Sequence, residues 1–123
     1  MKKLQALICA LICMIVISCN YNDHNIDIAY SEYDHYYSMK AHFPKNRTRD
    51  VEEYMDSRIG NSSNMSFTNS RIDGTIALDD HTKFYIKKYP GVLEIKLDKA
   101  ENSEDAYHQI KSMCQGIKKV LAR

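Results

Sequence analysis

Three histidines near the start of the chain, His24, His35 and His42, are its first candidates for metal chemistry. They stand among Asp and Glu residues, and imidazole together with carboxylate suits several divalent ions. No two of these histidines stand at a tight ligand spacing, however, and the segment has the polar composition of a solvated linker. The sequence therefore predicts no metal and no other cofactor, with capture of a metal or small ligand by this segment as a minor alternative.

Two further groups could support catalysis. Asp79-Asp80-His81 places carboxylates beside an imidazole, as acid/base catalysis requires, but Asp is equally typical of turns between strands. Cys114 and His108 could pair as nucleophile and base on one helix, yet Cys114 belongs to an apolar stripe, where a cysteine acts as a small hydrophobe. No GxSxG, HExxH, P-loop or GxGxxG pattern occurs. We therefore predict a protein that is not an enzyme.

The N-terminus has the features of a secretion signal. Two lysines, Lys2 and Lys3, precede an apolar run of about 14 residues, Leu4 to Ile17. A membrane-spanning helix needs roughly 20 apolar residues, so the run fits a signal peptide better than a span.

The apolar run ends at Val16-Ile17-Ser18-Cys19, which resembles the lipobox of bacterial lipoproteins. The resemblance covers the first 19 residues. It implies that the Cys19 thiol receives a diacylglyceryl group and that signal peptidase II removes residues 1–18. Ordinary secretion with cleavage near Ser18, or an uncleaved anchor, are the alternatives.

Lipidation would fix the location of the chain. A lipoprotein cysteine carries two or three acyl chains, and two are enough for stable membrane attachment. Asn20 follows the cysteine where Asp would favour the inner membrane in enterobacteria, so the resemblance favours the outer membrane of a cell envelope. Which face of that membrane carries the protein is left open.

Removal of residues 1–18 changes the charge and the cysteine count. Lys2 and Lys3 leave, so Lys+Arg falls from 17 to 15 against 16 Asp+Glu, and the net charge becomes −1. A chain without a basic excess is a poor candidate for nucleic-acid binding. Cys114 stays as the one unmodified cysteine, so no disulfide forms within the chain.

The remaining chain divides into a tether and a domain. Residues 19–45, rich in Asn, Asp, Tyr and His, are predicted to be the lipidated cysteine and a polar tether, whose tyrosines could also dock on the domain. Residues 46–123 are predicted to form a small domain. It begins with a helix from Thr48 or Asp50 to Ile59, where Asp50 and Glu53 have the spacing of a capping box.

The rest of the domain predicts a sheet and a second helix. Four short alternating segments begin near Met65, Ile72, Thr82 and Leu93, and short links between them indicate an antiparallel meander. Gly74 is a possible bulge, and Pro90-Gly91 fits the centre of a type II turn. A C-terminal helix carries a long apolar stripe, Ala106 to Leu121. The predicted fold is two-layer α+β: a helix, a four-stranded antiparallel meander, and a C-terminal helix on one sheet face.

The outward positions of the predicted sheet offer a surface for a partner. Tyr and Arg are enriched in binding hot spots, and the candidate contact residues are Arg71, Lys83, Tyr85, Lys87 and Lys96. An envelope lipoprotein that binds another protein is the function this pattern favours, with an inhibitor or immunity protein against an envelope-targeted toxin or hydrolase as the preferred form. The alternative is an accessory subunit in the assembly of an envelope complex.

Overall fold

Five strands and two helices build the part of the chain that the structure, a computed structural model, describes: residues 25–60 and 66–123. Short 3-10 helices precede both helices, at Lys45–Arg47 and Lys99–Glu101. The fold is α+β, as predicted, with the C-terminal helix packed on the sheet. In chain order the elements are β1 (Asp27–Glu32), β2 (Tyr36–His42), α1 (Thr48–Ile59), β3 (Ile72–Ala77), β4 (Lys83–Tyr89), β5 (Val92–Asp98) and α2 (Glu104–Leu121).

The strands form one antiparallel sheet in the order β1-β2-β5-β4-β3. The sequence predicts four strands, and the structure has five. β3, β4 and β5 lie where alternation predicts them, but Ser66 and Phe67 are not in a strand. The side chain of Phe67 is instead fully buried in the core. Its backbone N–H donates to Asp56 Oδ1 at 2.8 Å, which fixes this segment against α1. Met65, at the start of that predicted strand, lies outside the described residues.

The additional strands come from the segment predicted to be a tether. β1 and β2 form a hairpin, and β2 pairs along its whole length with β5, from Tyr36 with Asp98 to His42 with Val92. The interpretation of residues 19–45 as a tether is therefore wrong for these two strands, and the domain begins well before residue 46. β2 belongs to the domain because it contributes to the core: Tyr37, Met39 and Ala41 point inward and are 2% exposed or less.

Both helices cover the same face of the sheet. α2 buries the predicted stripe, and α1 buries Val51, Met55 and Ile59. A Cβ on Gly116 would lie 1.7 Å from the hydroxyl oxygen of Tyr54, so this glycine permits the close contact between the helices. The buried core is built from residues 37–121. Within the described ranges, no helix combines the length and the apolar character needed to cross a bilayer.

The N-terminus of α1 differs from the one predicted. Arg47 occupies the N-cap of α1 without a side-chain cap, and the capping box does not form, because Asp50 and Glu53 pair with Arg47 and Arg49 instead. At α2, Ser103 is the cap, and its Oγ accepts from Ala106 N at 3.1 Å. At α1 the arginines therefore compete with the backbone N–H groups for the carboxylates of Asp50 and Glu53.

The β4–β5 connection is the turn that the sequence predicts. Pro90 and Gly91 occupy its centre, and Gly91 has φ +81°, the left-handed value required at the second central position of a type II turn. The possible bulge at Gly74 is absent, since β3 pairs with β4 in unbroken register from Ile72 to Ala77. The strands therefore keep one alternation, which separates inward from outward side chains across the whole sheet.

Candidate protein-binding surface

The face of the sheet that points away from the helices is called here the open face, and it consists of the outward side chains of the five strands. Burial alternates strictly along β2, β4 and β5, so the outward positions are exposed or half-buried while their neighbours are buried. No described helix or loop packs across it. The open face is about 20 Å wide and 20 Å long, from five strands of about seven residues.

A row of alternating charges crosses the middle of the open face. The register aligns Lys40 with Glu94, Glu94 with Lys87, and Lys87 with Asp73. Lys40 Nζ and Glu94 Oε1 lie 3.9 Å apart. Opposite charges on neighbouring strands attract, so the row stabilises the sheet while it presents both signs to solvent.

Tyrosines and cations lie together on both sides of this row. Lys96 Nζ lies 4.4 Å from the ring centroid of Tyr36, and Arg71 and Lys87 approach the ring of Tyr89 at 5.7 and 5.8 Å. Cation–π contacts of this kind hold flexible side chains against rigid rings. The resulting surface presents ordered donors and aromatic area side by side.

Tyr85 lies at the centre of the open face. Its hydroxyl donates to Asp73 Oδ1 at 2.8 Å, and this hydrogen bond to a carboxylate raises the pKa of Tyr85 to about 12. The hydrogen bond to Asp73 also holds the Tyr85 ring in one orientation. A ring that is already ordered loses little conformational entropy on binding a partner.

The structure brings all five predicted contact residues to this face. Tyr85, Lys87 and Lys96 lie near its centre, Lys83 lies at the end where β4 begins, and Arg71 reaches it through the ring of Tyr89. Sequence reasoning missed Lys40 and Tyr89, and it included Tyr36 only as a tether tyrosine that could dock on the domain. Tyr36 and Lys40 belong to β2, and alternation along Tyr37, Met39 and Ala41 is the signal that could have revealed this strand.

The other predicted groups are not assembled for chemistry. Asp79 and Asp80 form a turn in which His81 has φ +70°, and hydrogen bonds from Thr82 lower the pKa of Asp80. Cys114 is fully buried, which raises the pKa of its thiol to about 12, while the His108 side chain is 63% exposed and lies 3.8 Å from Glu104. The structure does not bring Cys114 and His108 together.

The histidines of the predicted tether are also separated. His35 lies in the β1–β2 turn and His42 ends β2, so about 20 Å of strand lies between them. His24 and the lipidation candidate Cys19 lie outside the described residues. Within those residues no cluster of three or more His, Cys, Asp or Glu side chains could hold a metal ion.

A buried ion pair was missed by sequence reasoning. Lys88 Nζ donates to Glu52 Oε2 and to the carbonyl of Ser70, and Glu52 Oε1 accepts from Asn69 N at 3.3 Å. Lys88 is 1% exposed and Glu52 is 4% exposed. Lys88 shares the inward parity of Phe84 and Ile86, which is the signal that could have placed it. The pair joins α1 to β4 beneath the open face.

A second polar cluster joins the edge strand to α2. Glu32 accepts from Lys99 Nζ at 3.0 Å, from Lys111 Nζ at 2.9 Å, and from the hydroxyl of Tyr107. These hydrogen bonds, led by that of Tyr107, hold the pKa of Glu32 at about 2. The cluster fixes the end of β1.

Comparison of this chain with protein-family models, with curated proteins and with solved structures gives no match.

Proposed function

We propose that this chain is a lipoprotein of a bacterial cell envelope, anchored through lipid on Cys19, whose domain binds another protein through the open face. The observation that carries the proposal is the open face itself, which has no covering element among the described residues. It combines ordered tyrosines with cations, the residue types that anchor protein interfaces. An exposed sheet face suits a protein surface, since small ligands are bound in concave sites.

The preferred partner is an enzyme or toxin that acts in the envelope, with this chain as its inhibitor or immunity protein. Such a protein needs a stable scaffold, a contact face and an anchor, and these are the features that support the proposal. It predicts a toxin or hydrolase gene beside the gene for this chain, and a growth defect on deletion only when that toxin or hydrolase is present.

A structural or assembly subunit of an envelope complex is the second candidate, supported by the same open face. It predicts stable co-purification with one abundant membrane complex and a deletion defect without any toxin. Metal or small-ligand capture is weaker, because His35 and His42 occupy opposite ends of β2.

The anchor is tested by Cys19→Ala in the full chain. We expect loss of palmitate labelling, because the thiol and the new amino terminus are the acylated groups, and release of the protein from the membrane fraction. Labelling that persists in Cys19→Ala contradicts the lipobox interpretation.

The open face is tested in the producing cells with a photo-crosslinking amino acid in place of Lys87. We expect an adduct of discrete mass with one partner, and none from a crosslinker in place of Gln115, which is exposed on α2. Tyr85→Ala should weaken the purified complex about 30-fold, because removal of an interface hot spot costs about 2 kcal/mol or more. The matched control is Tyr33→Ala, because Tyr33 is 68% exposed in the β1–β2 turn. Equal effects of the two substitutions, or equal adducts from the two crosslinker positions, would reject the open face as the binding surface.

A further inference from the structure

The two ends of the strands carry opposite charge. At one end lie the start of β1, the end of β2, the Pro90–Gly91 turn, the start of α1 and the end of α2. Contacts confirm this placement, since Gly91 N donates to Thr48 Oγ1 at 2.9 Å and Arg47 Nη2 donates to Val120 O at 2.8 Å. This is called here the basic end, and its cations are Lys45, Arg47, Arg49, Arg71, Lys118, Lys119 and Arg123.

Ion pairs cancel only part of this positive charge. Arg47 pairs with Asp50 at 2.9 Å, and Arg49 pairs with Glu53 at 3.2 Å. The other cations of the basic end form no ion pair within the described ranges, and all of them are exposed: Lys45, Arg71, Lys118, Lys119 and Arg123. Among the described carboxylates at this end, Asp27 is likewise outside an ion pair.

The opposite end of the strands is acidic. It contains the β1–β2 and β3–β4 turns, the end of β5 and the start of α2. Lys83 and Lys99 are its cations, and Lys99 pairs with Glu32. Its exposed or half-buried carboxylates are Asp34, Asp79, Asp80, Asp98, Glu101, Glu104 and Asp105. A chain with a net charge near zero is thus strongly polarised along its strands.

The chain leaves the proposed anchor at the basic end. β1 begins there, at Asp27 opposite His42, and Cys19 precedes Asn25 by six residues. Six residues span at most about 20 Å even when fully extended. A lipid on Cys19 would therefore hold the basic end within about 20 Å of the membrane surface, far closer than a tether of residues 19–45 would.

We propose that the basic end docks on the anionic headgroups of the phospholipid bilayer, an inference that rests on the proposed lipidation of Cys19. A negatively charged membrane surface attracts each nearby Lys or Arg. Its field decays within about 10 Å at physiological salt, whereas the strands alone are about 20 Å long, so the acidic end lies outside the repulsive range.

Docking of this kind would orient the open face. Because the strands run from the basic end to the acidic end, they would stand roughly along the membrane normal. The plane of the open face would then be perpendicular to the bilayer surface. The open face would stay accessible to a partner in the same membrane or in solution.

The test measures binding of the mature chain, residues 19–123 with Cys19→Ala, to vesicles by co-sedimentation. The described residues begin at Asn25, so this form keeps every described contact. We expect binding to phosphatidylcholine vesicles that contain one-third phosphatidylglycerol, and little binding to phosphatidylcholine alone. Lys118→Gln/Lys119→Gln should lower the partition coefficient about 25-fold, since each cation near the surface contributes roughly fivefold.

The control removes two charges at the acidic end with Glu101→Gln/Glu104→Gln. We expect no change in its partition coefficient, whereas attraction governed by net charge alone would make it bind more tightly. The proposal is overturned if phosphatidylglycerol makes no difference, if the lysine variant binds like the unsubstituted chain, or if the glutamate variant gains affinity. Acyl labelling of Cys19 is a separate measurement, so failure of the anchor and failure of headgroup docking give different results.

Discussion

At the scale of single residues, the ion pair between Lys88 and Glu52 is the least expected feature of the core. Two charges are removed from water, and hydrogen bonds stabilise both. Lys88 donates to Glu52 and to Ser70 O, and Glu52 also accepts from Asn69 N. A buried pair is retained because removal of one partner leaves an uncompensated charge, although an apolar replacement of both partners can be neutral. Neither residue differs in type from the many surface charges of this sequence, so composition could not single them out.

Glu52→Ala should destabilise the domain by about 3–5 kcal/mol, because Lys88 would lose its counter-charge in a buried position. Replacement of both partners, Glu52→Leu/Lys88→Met, should recover most of that loss. Urea denaturation followed by circular dichroism measures the free energy of unfolding.

The neighbouring exposed pair supplies the control for the buried one. Arg49 and Glu53 are 67% and 61% exposed in their side chains, and Glu53→Ala should cost no more than about 0.5 kcal/mol. A cost for Glu52→Ala as small as that for Glu53→Ala would show that the Lys88 pair contributes nothing specific.

At the scale of elements, Glu32 controls how β1 is attached to α2. Its pKa, about 2 in the folded chain, is below the ordinary value of 4.5, because Tyr107, Lys111 and Lys99 donate to the carboxylate. A lowered pKa in the folded state adds stability above pH 4.5, and this stability is lost as the pH falls toward 2.

Glu32→Gln should therefore flatten the acid dependence of stability. Denaturation midpoints of the unsubstituted chain should fall more steeply between pH 4.5 and about 2 than those of Glu32→Gln. The two chains should run parallel above pH 6, where Glu32 is ionised in both the folded and the unfolded state. Parallel curves at every pH would mean that the cluster is not formed in solution.

Two glycines in the strands and their turns should respond oppositely to the same substitution. Gly91→Ala should destabilise, because φ is +81° and the new Cβ would lie 2.9 Å from the carbonyl oxygen of Phe43. Gly74→Ala should stabilise by roughly 0.5–1 kcal/mol, since a Cβ there meets nothing within 4 Å and the unfolded chain loses freedom. Thermal melting of both variants gives the two signs, and equal signs would contradict the backbone geometry described for β3 or for the turn.

Periodicity predicted some elements well and others not at all. α1, α2, β3, β4 and β5 repeat apolar residues at one clear period, so their positions and the outward parity of Lys83, Tyr85 and Lys87 follow from the sequence. In β1 the inward positions include Tyr30 and Glu32, which are polar, and the flanking Asn, Asp and His are typical of linkers. The strand exists because β1 pairs with β2, and because both polar side chains are hydrogen-bonded to α2. The Tyr30 hydroxyl donates to Cys114 O, and Glu32 accepts from Tyr107 and Lys111. Such partners are distant in sequence.

At the scale of the whole molecule, the N-terminal hairpin decides whether residues 46–123 are a domain on their own. β5 has β2 on one side and β4 on the other, so it is a central strand. Removal of the hairpin would expose one edge of β5 and uncover the core beside Tyr37, Met39 and Ala41. Burial of Tyr37 and of Met39 contributes about 1.5–3 kcal/mol each. Together this is a large part of the stability of a small domain.

A chain that starts at Phe43 should therefore fail to unfold cooperatively, whereas one that starts at Asn25 should melt in a single transition. Calorimetry distinguishes the two chains, and one-dimensional proton spectra report whether dispersed methyl signals survive. If residues 25–42 were a tether, both chains would melt alike. The result also bears on how the open face is oriented relative to the membrane. If the hairpin is part of the sheet, the anchor at Cys19 restrains the position of the open face, whereas a flexible tether would leave it unrestrained.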